Sequence, residues 1–248
     1  MRALLLKSLT MLLLGCSSIL FSQTRSPELV APPVLTRVSP AGMTAAEKDT
    51  LKASQRALDK LMDVYNFEPK TPWTFEVVRC PLITKHVVME FTSIEVSEGS
   101  SRYVAVLPQQ NGRVQLIPLW YRGLRSFEKP YNDPHNIATF NETIAVEAPH
   151  LSSDTDWLQL AVCYLAMVGE SPDVLLRTNI RRQLGDVSQN TVERLLPVVT
   201  PSQSSIDVHF CDAGQKRRIS EWHLTFDRAG LLRDISRGNL DKSELLKP

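Results

Sequence analysis

Residues Tyr103 to Leu119 read YVAVLPQQNGRVQLIPL. Tyr103 to Leu107 is dense in β-formers. Asn111-Gly112 is a hairpin turn signal, because both residues tolerate the positive φ that a tight hairpin needs, and Val114 to Leu119 returns. Two strands joined by so short a connection pair antiparallel, since a parallel pair requires a long crossover. Upstream, Val87, Met89 and Phe91 alternate with Val88, Glu90 and Thr92, and Thr74 to Arg79 is rich in strand formers. The Ser97 to Ser101 cluster, with Gly99, supplies the turn between them. These segments predict an antiparallel meander.

Helical signals flank it. Thr44-Ala-Ala-Glu47 forms a capping box, in which the Thr hydroxyl takes a backbone amide and Glu47 reaches back. Leu51, Leu58, Leu61, Met62 and Tyr65 then share one face, predicting a helix over 45–65. Beyond the meander, Ile137, Phe140 and Ile144 mark a short helix ended by Pro149. Ser153 or Asp154 caps the next, which runs to Val168. Trp157, Leu160, Ala161, Tyr164 and Leu165 form its stripe, and Val162, Cys163, Ala166 and Met167 are apolar too. A helix apolar nearly all round is a buried helix. Ser171-Pro172 opens a further predicted helix that Gly185 stops, and Ser188 to Leu196 a last short one. Strands return at 205–212, 219–226 and 231–236, the final two joined by Asp227-Arg-Ala-Gly230, which suits a type I turn with a glycine bulge. The order helix, meander, helices, meander predicts an α+β fold, a single domain over 44–248.

The N-terminus carries a different kind of signal. Arg2 and Lys7 precede a short apolar run, then Gly15, Cys16 and two serines. This is the layout of a secretory signal, and the run to Phe21 is shorter than the roughly 20 residues that a spanning helix needs. Leu13-Leu14-Gly15-Cys16 resembles the lipobox of bacterial lipoprotein signals, which implies lipid attachment at Cys16 and a signal peptide within residues 1–22. Ordinary cleavage near Ser22 and an uncleaved anchor are the alternatives. Residues 23–43, with Pro27, Pro32, Pro33 and Pro40, read as an extended tether. The formal net charge is +1, and without Arg2 and Lys7 it falls to −1. So neutral a body lacks the basic footprint of general nucleic-acid binding.

Without Cys16, three cysteines remain: Cys80, Cys163 and Cys211. They permit one bridge and one free thiol. Cys163 falls in the apolar helix, where a reduced thiol acts as a small hydrophobe, so a Cys80–Cys211 bridge is expected.

Familiar catalytic patterns are absent from the sequence: it holds no His-Glu-x-x-His, no Gly-x-Ser-x-Gly, no phosphate loop and no Cys-x-x-Cys. Two constellations remain. In the C-terminal hairpin, Val208 and Phe210 share a face with Trp222, Leu224 and Phe226. The pleat sends Asp207, His209, Cys211, Glu221 and His223 to the opposite face. His209, Cys211, Glu221 and His223 are zinc-type ligands. Ile219 points the same way, and the turn is expected to bring Leu231 and Ile235 there too, making it an ordinary half-solvated sheet face. The second constellation is Pro118 to His135, where Trp120, Tyr121, Phe127 and Tyr131 interleave with Arg122 and Arg125. Aromatic faces stack on sugar rings, and arginine forks onto carboxylate or phosphate. The same residues would equally pin a long connection to the core.

Together these features predict an exported protein of the cell envelope, lipid-anchored in the membrane or secreted. Its expected role is binding an envelope polymer or protein partner, or a structural one, without a cofactor. The alternative is an envelope hydrolase, zinc-dependent, with its site on the C-terminal strands.

Overall fold

The computed structural model describes residues 31–64, 72–95, 99–108, 113–120, 129–213 and 218–241. They form an α+β fold with two antiparallel sheets. The first sheet is a meander of β1 (Thr36–Val38), β2 (Thr74–Arg79), β3 (His86–Glu95), β4 (Gly99–Pro108) and β5 (Gln115–Trp120), paired in chain order. The second is β6 (Val198–Pro201), β7 (Ser205–Asp212), β8 (Arg218–Asp227) and β9 (Leu232–Asp241), again in order. From β2 to β5 and from β6 to β9, consecutive pairing follows from short connections, which leave no room for crossovers; β1 and β2 pair antiparallel across a longer connection that holds a helix.

Five helices fill the rest of the described fold. The first, α1 (Ala45–Val64), begins at the expected capping box: Glu47 Oε2 accepts from the Thr44 amide at 2.7 Å, and Thr44 Oγ1 accepts from the Glu47 amide at 3.3 Å. It covers one face of the first sheet through Leu58, Met62, Met89, Phe91 and Tyr103. Between the two sheets lie α2 (Pro134–Glu147) and α3 (Asp154–Met167). Every residue of α3 from Trp157 to Met167 is buried, which is why its sequence shows no polar stripe. Ser153 caps it by accepting from the Asp156 amide, while the Asp156 carboxylate accepts from the Ser153 amide. One continuous apolar cluster runs from Val88, Val104 and Ile117 through α3 to Phe210, Trp222 and Phe226, so both sheets share a core.

The outer face of the second sheet is covered at one end by α4 (Ile180–Leu184) and α5 (Gln189–Leu195). Here the fold departs from expectation. Ser171-Pro172 opens no helix; the chain from Asp173 to Leu175 instead runs extended beside the end of β7. The Leu175 amide donates to the Cys211 carbonyl at 2.8 Å, and the Ala213 amide to the Asp173 carbonyl at 3.0 Å. Asp212 holds the Asp173 amide at 2.9 Å, and Asn179 ties the Val174 carbonyl and the Leu176 amide, delaying the helix to Ile180. Strand pairing with β7 thus outcompeted a proline that only favours a helix start.

The segment expected as a tether contributes structure at its far end. Thr36–Val38 pairs with β2, and buried Gln159 of α3 grips Val34 through both its amide and its carbonyl, at 2.6 and 2.9 Å. None of the helices among the described residues is long and apolar enough to cross a membrane.

The expected Cys80–Cys211 bridge is corrected. Cys80 is bonded to Cys163, their Cα atoms 5.8 Å apart, within the range a disulfide spans. Cys80 follows β2 directly and lies against α3, where Cys163 faces it. Cys211 is free and buried on the far side of the second sheet, beneath α4 and α5.

Candidate functional site

The β7–β8 ladder sets the geometry of the C-terminal face. His209 pairs with His223, Asp207 with Thr225 and Cys211 with Glu221. Period-two alternation sends Val208, Phe210, Trp222 and Leu224 into the shared core and the imidazoles outward, as the sequence implied. The two rings lie 4.4 Å apart, centroid to centroid, tilted by 31°. Glu221 sits diagonally from His209 and reaches both rings with one oxygen: Oε1 is 3.1 Å from His209 Nε2 and 3.9 Å from His223 Nε2. One donor atom from each of the three residues falls within 4.8 Å of the others. His209 is 24% exposed, Glu221 31% and His223 55%, so solvent reaches the cluster from one side.

Burial pushes the His209 pKa down, reinforced by the neighbouring His223 and opposed by its bond to Glu221. Its neutral form, with an unshared nitrogen pair, is therefore favoured. Cys211, the fourth predicted ligand, points outward beside Glu221 but lies fully buried in the apolar cluster of Leu175, Leu195 and Ile219. Burial, with Glu221 nearby, pushes its thiol up to about 12. It does not join the three convergent donors.

The expectation that Leu231 and Ile235 share this face is overturned. The turn itself is as read: the Gly230 amide donates to the Asp227 carbonyl at 3.0 Å, and Gly230 adopts φ +85°. However, the β8–β9 register slips at a second point. Phe226 pairs with Leu232, yet Thr225 pairs with Asp234, leaving Arg233 as an extra residue. Its guanidinium is held by the Asp227 carboxylate at 2.5 Å. One inserted residue inverts the parity of the whole strand. Ile235 therefore pairs with Leu224 and enters the core, as does Leu232, while Leu231 packs against its edge. Ser236 comes to stand opposite His223 and Gly238 opposite Glu221. Arg237 turns to the other face, stacking 4.8 Å over the Trp222 ring and pairing with Glu170 at 3.4 Å.

Of the aromatic and basic constellation, Tyr121, Arg122, Arg125 and Phe127 lie outside the described residues, as does the side chain of Trp120, whose backbone pairs with Arg102. Tyr131 belongs to the core: it is 8% exposed and packs edge-on against Trp222, centroids 5.1 Å apart. Cys16 also falls outside the described residues.

One concavity had no counterpart in the sequence reading. A groove of about 660 Å³ runs between α1 and the edge strand β5, lined by the apolar Leu61, Val64 and Leu116 and by the cations Arg56, Lys60 and Arg113. Arg113 is some fifty residues from the other two cations, so only the packing of α1 beside β5 unites them.

No protein-family model, curated protein or solved structure matches the chain.

Proposed function

We propose that the chain is an exported protein of the cell envelope, attached to a membrane through lipid on Cys16, whose domain binds an envelope polymer or a protein partner. The observation that carries this reading is the Cys80–Cys163 disulfide. Structural bridges persist in oxidising compartments and are rare in a reducing cytosol, which agrees with the secretory layout of residues 1–22. The groove between α1 and β5, lined by apolar residues and cations, supports a binding role, because it suits a ligand that joins an anionic group to an apolar body.

The deciding experiment follows the chain in bacterial membranes. The wild-type protein is expected in the membrane fraction, with Cys16 acylated by mass spectrometry, and Cys16→Ser is expected to release it. An intact, unacylated Met1 in the cytosol would overturn the reading.

A second reading, a zinc-dependent envelope hydrolase, is favoured by the convergence of His209, Glu221 and His223 on a solvent-facing point. Zinc-dependent turnover of chromogenic ester, amide or phosphoester substrates, lost in His209→Ala, would support it. The absence of turnover by zinc-loaded protein would rule it out for those bonds.

A further inference from the structure

We propose that His209, Glu221 and His223 form a binding site for a divalent transition metal, zinc above all. Two imidazole nitrogens and a carboxylate oxygen are the donor set of open zinc sites, in which three protein ligands leave a fourth position free. In a tetrahedral site with bonds near 2.1 Å, donor atoms stand about 3.4 Å apart. The Glu221 oxygen lies 3.1 Å from one imidazole nitrogen and 3.9 Å from the other, bracketing that spacing before any ion draws them in. The three come from adjacent strands of one ladder, so the backbone holds them in register without an ordering step.

The surroundings are what a site needs and a plain sheet face does not. The Arg233 bulge is the deciding feature. In an uninterrupted β8–β9 register, Ile235 would stand opposite His223, and Arg237 would face Glu221 and occupy its carboxylate. The bulge replaces them with Ser236 and Gly238 and sends Arg237 to stack on Trp222. At Gly238 a Cβ would sit 3.2 Å from Glu221 Oε2, so a side chain there would press on the ligand. Asp207, next along the same face, accepts from Thr225 Oγ1 at 2.7 Å and adds negative charge that favours a cation. Nitrogen and carboxylate donors select zinc or copper over calcium and magnesium, which prefer all-oxygen shells.

The test is isothermal titration of the full-length, metal-stripped protein in detergent with zinc chloride, alongside cobalt(II) absorption, whose d–d bands report low-symmetry coordination. The expected result is one equivalent bound, unaffected by millimolar calcium or magnesium. Affinity should fall about 100-fold in His209→Ala and in His223→Ala, and about 10-fold in Glu221→Gln. These side chains are partly exposed, and unchanged circular dichroism and melting of the metal-free variants would verify their folding. Gly238→Lys, on the edge strand β9, provides an independent arm: it should keep the fold, set a cation beside Glu221 and abolish zinc binding. The proposal is overturned if no equivalent binds, or if binding survives in the His209→Ala/His223→Ala double variant, which would place the ion elsewhere.

Discussion

Glu147, at the end of α2, places its Oε1 2.8 Å from Nδ1 of His86, at the start of β3, and both side chains are almost wholly buried. The same carboxylate accepts from the Thr84 and Lys85 amides at 2.9 and 2.8 Å, while Lys85 Nζ binds the Val146 carbonyl at 2.6 Å. With the Thr84 hydroxyl at 3.2 Å, four groups meet the carboxylate where α2 joins the first sheet: the His86 ring, the Thr84 amide and hydroxyl, and the Lys85 amide. Burial acts to raise the Glu147 pKa, but the His86 bond and the two amides outweigh it, and the net shift is downward from 4.5. A carboxyl that is more acidic folded than unfolded contributes stability above its unfolded value, and that contribution is lost as pH falls through its folded value. Glu147→Gln is expected to cost about 2–4 kcal/mol at pH 7, because it leaves buried donors short of an acceptor. Urea unfolding at pH 7 and pH 4 checks both points: the variant should lose less than the wild type on acidification, and equal losses would contradict the assignment.

The capping box of α1 carries a second acid-sensitive element. The Arg79 guanidinium bonds both Glu47 oxygens at 2.8 Å and, together with Thr44, holds the carboxyl down at about 2 against the opposing effect of burial. Its contribution is complete above 4.5 and disappears as pH drops toward 2. Glu47→Ala should cost about 1–2 kcal/mol at neutral pH, the worth of a good cap plus a partly exposed ion pair. Thermal melts at pH 7 and pH 3 should show the difference between the two proteins shrinking with acid.

The disulfide closes a long loop, with 83 positions separating its cysteines. By the chain-entropy relation, its loss is expected to destabilise the fold by about 4.5 kcal/mol. Guanidinium unfolding of the Cys80→Ala/Cys163→Ala protein measures this. Thiol counting gives an orthogonal check: lipidated, unreduced protein in denaturant should expose one reactive thiol, from Cys211, and three after reduction. Three before reduction would show that the bridge is not made.

Ser54 sits on α1 with no solvent exposure, and its hydroxyl has no hydrogen-bond partner among the described residues. Ser54→Ala removes an unsatisfied buried polar atom and introduces a better helix former. A gain of about 1 kcal/mol is expected, read as an increase in the denaturation midpoint with unchanged slope. A loss would mean that the hydroxyl has a role in holding α1 against the first sheet.

Much of this architecture could be read along the chain. The meander follows from alternating runs and short turns, α1 from its capping box, and the burial of α3 from a stretch with no polar stripe. All are local signals, set by side-chain period and backbone preference over a few residues. The outward direction of His209, Glu221 and His223 was likewise implied by the pleat. What failed was non-local. Asp173 to Leu175 gave up a helix because β7 offered unpaired backbone groups, and Cys163 found Cys80 because α3 packs on the first sheet.

The sequence by itself determined the order and type of nearly every element and the polar face of the last hairpin, since each depends on residues two to four positions apart. Only the tertiary structure decided whether that face is crowded or open. Arg233 can be spliced into β9 as an extra residue only where β8 runs beside it and Asp227 holds its guanidinium, and no periodicity in the chain records that choice. A single added residue reverses which side chains face solvent, so the surroundings of His209, Glu221 and His223 were set by strand pairing rather than by composition.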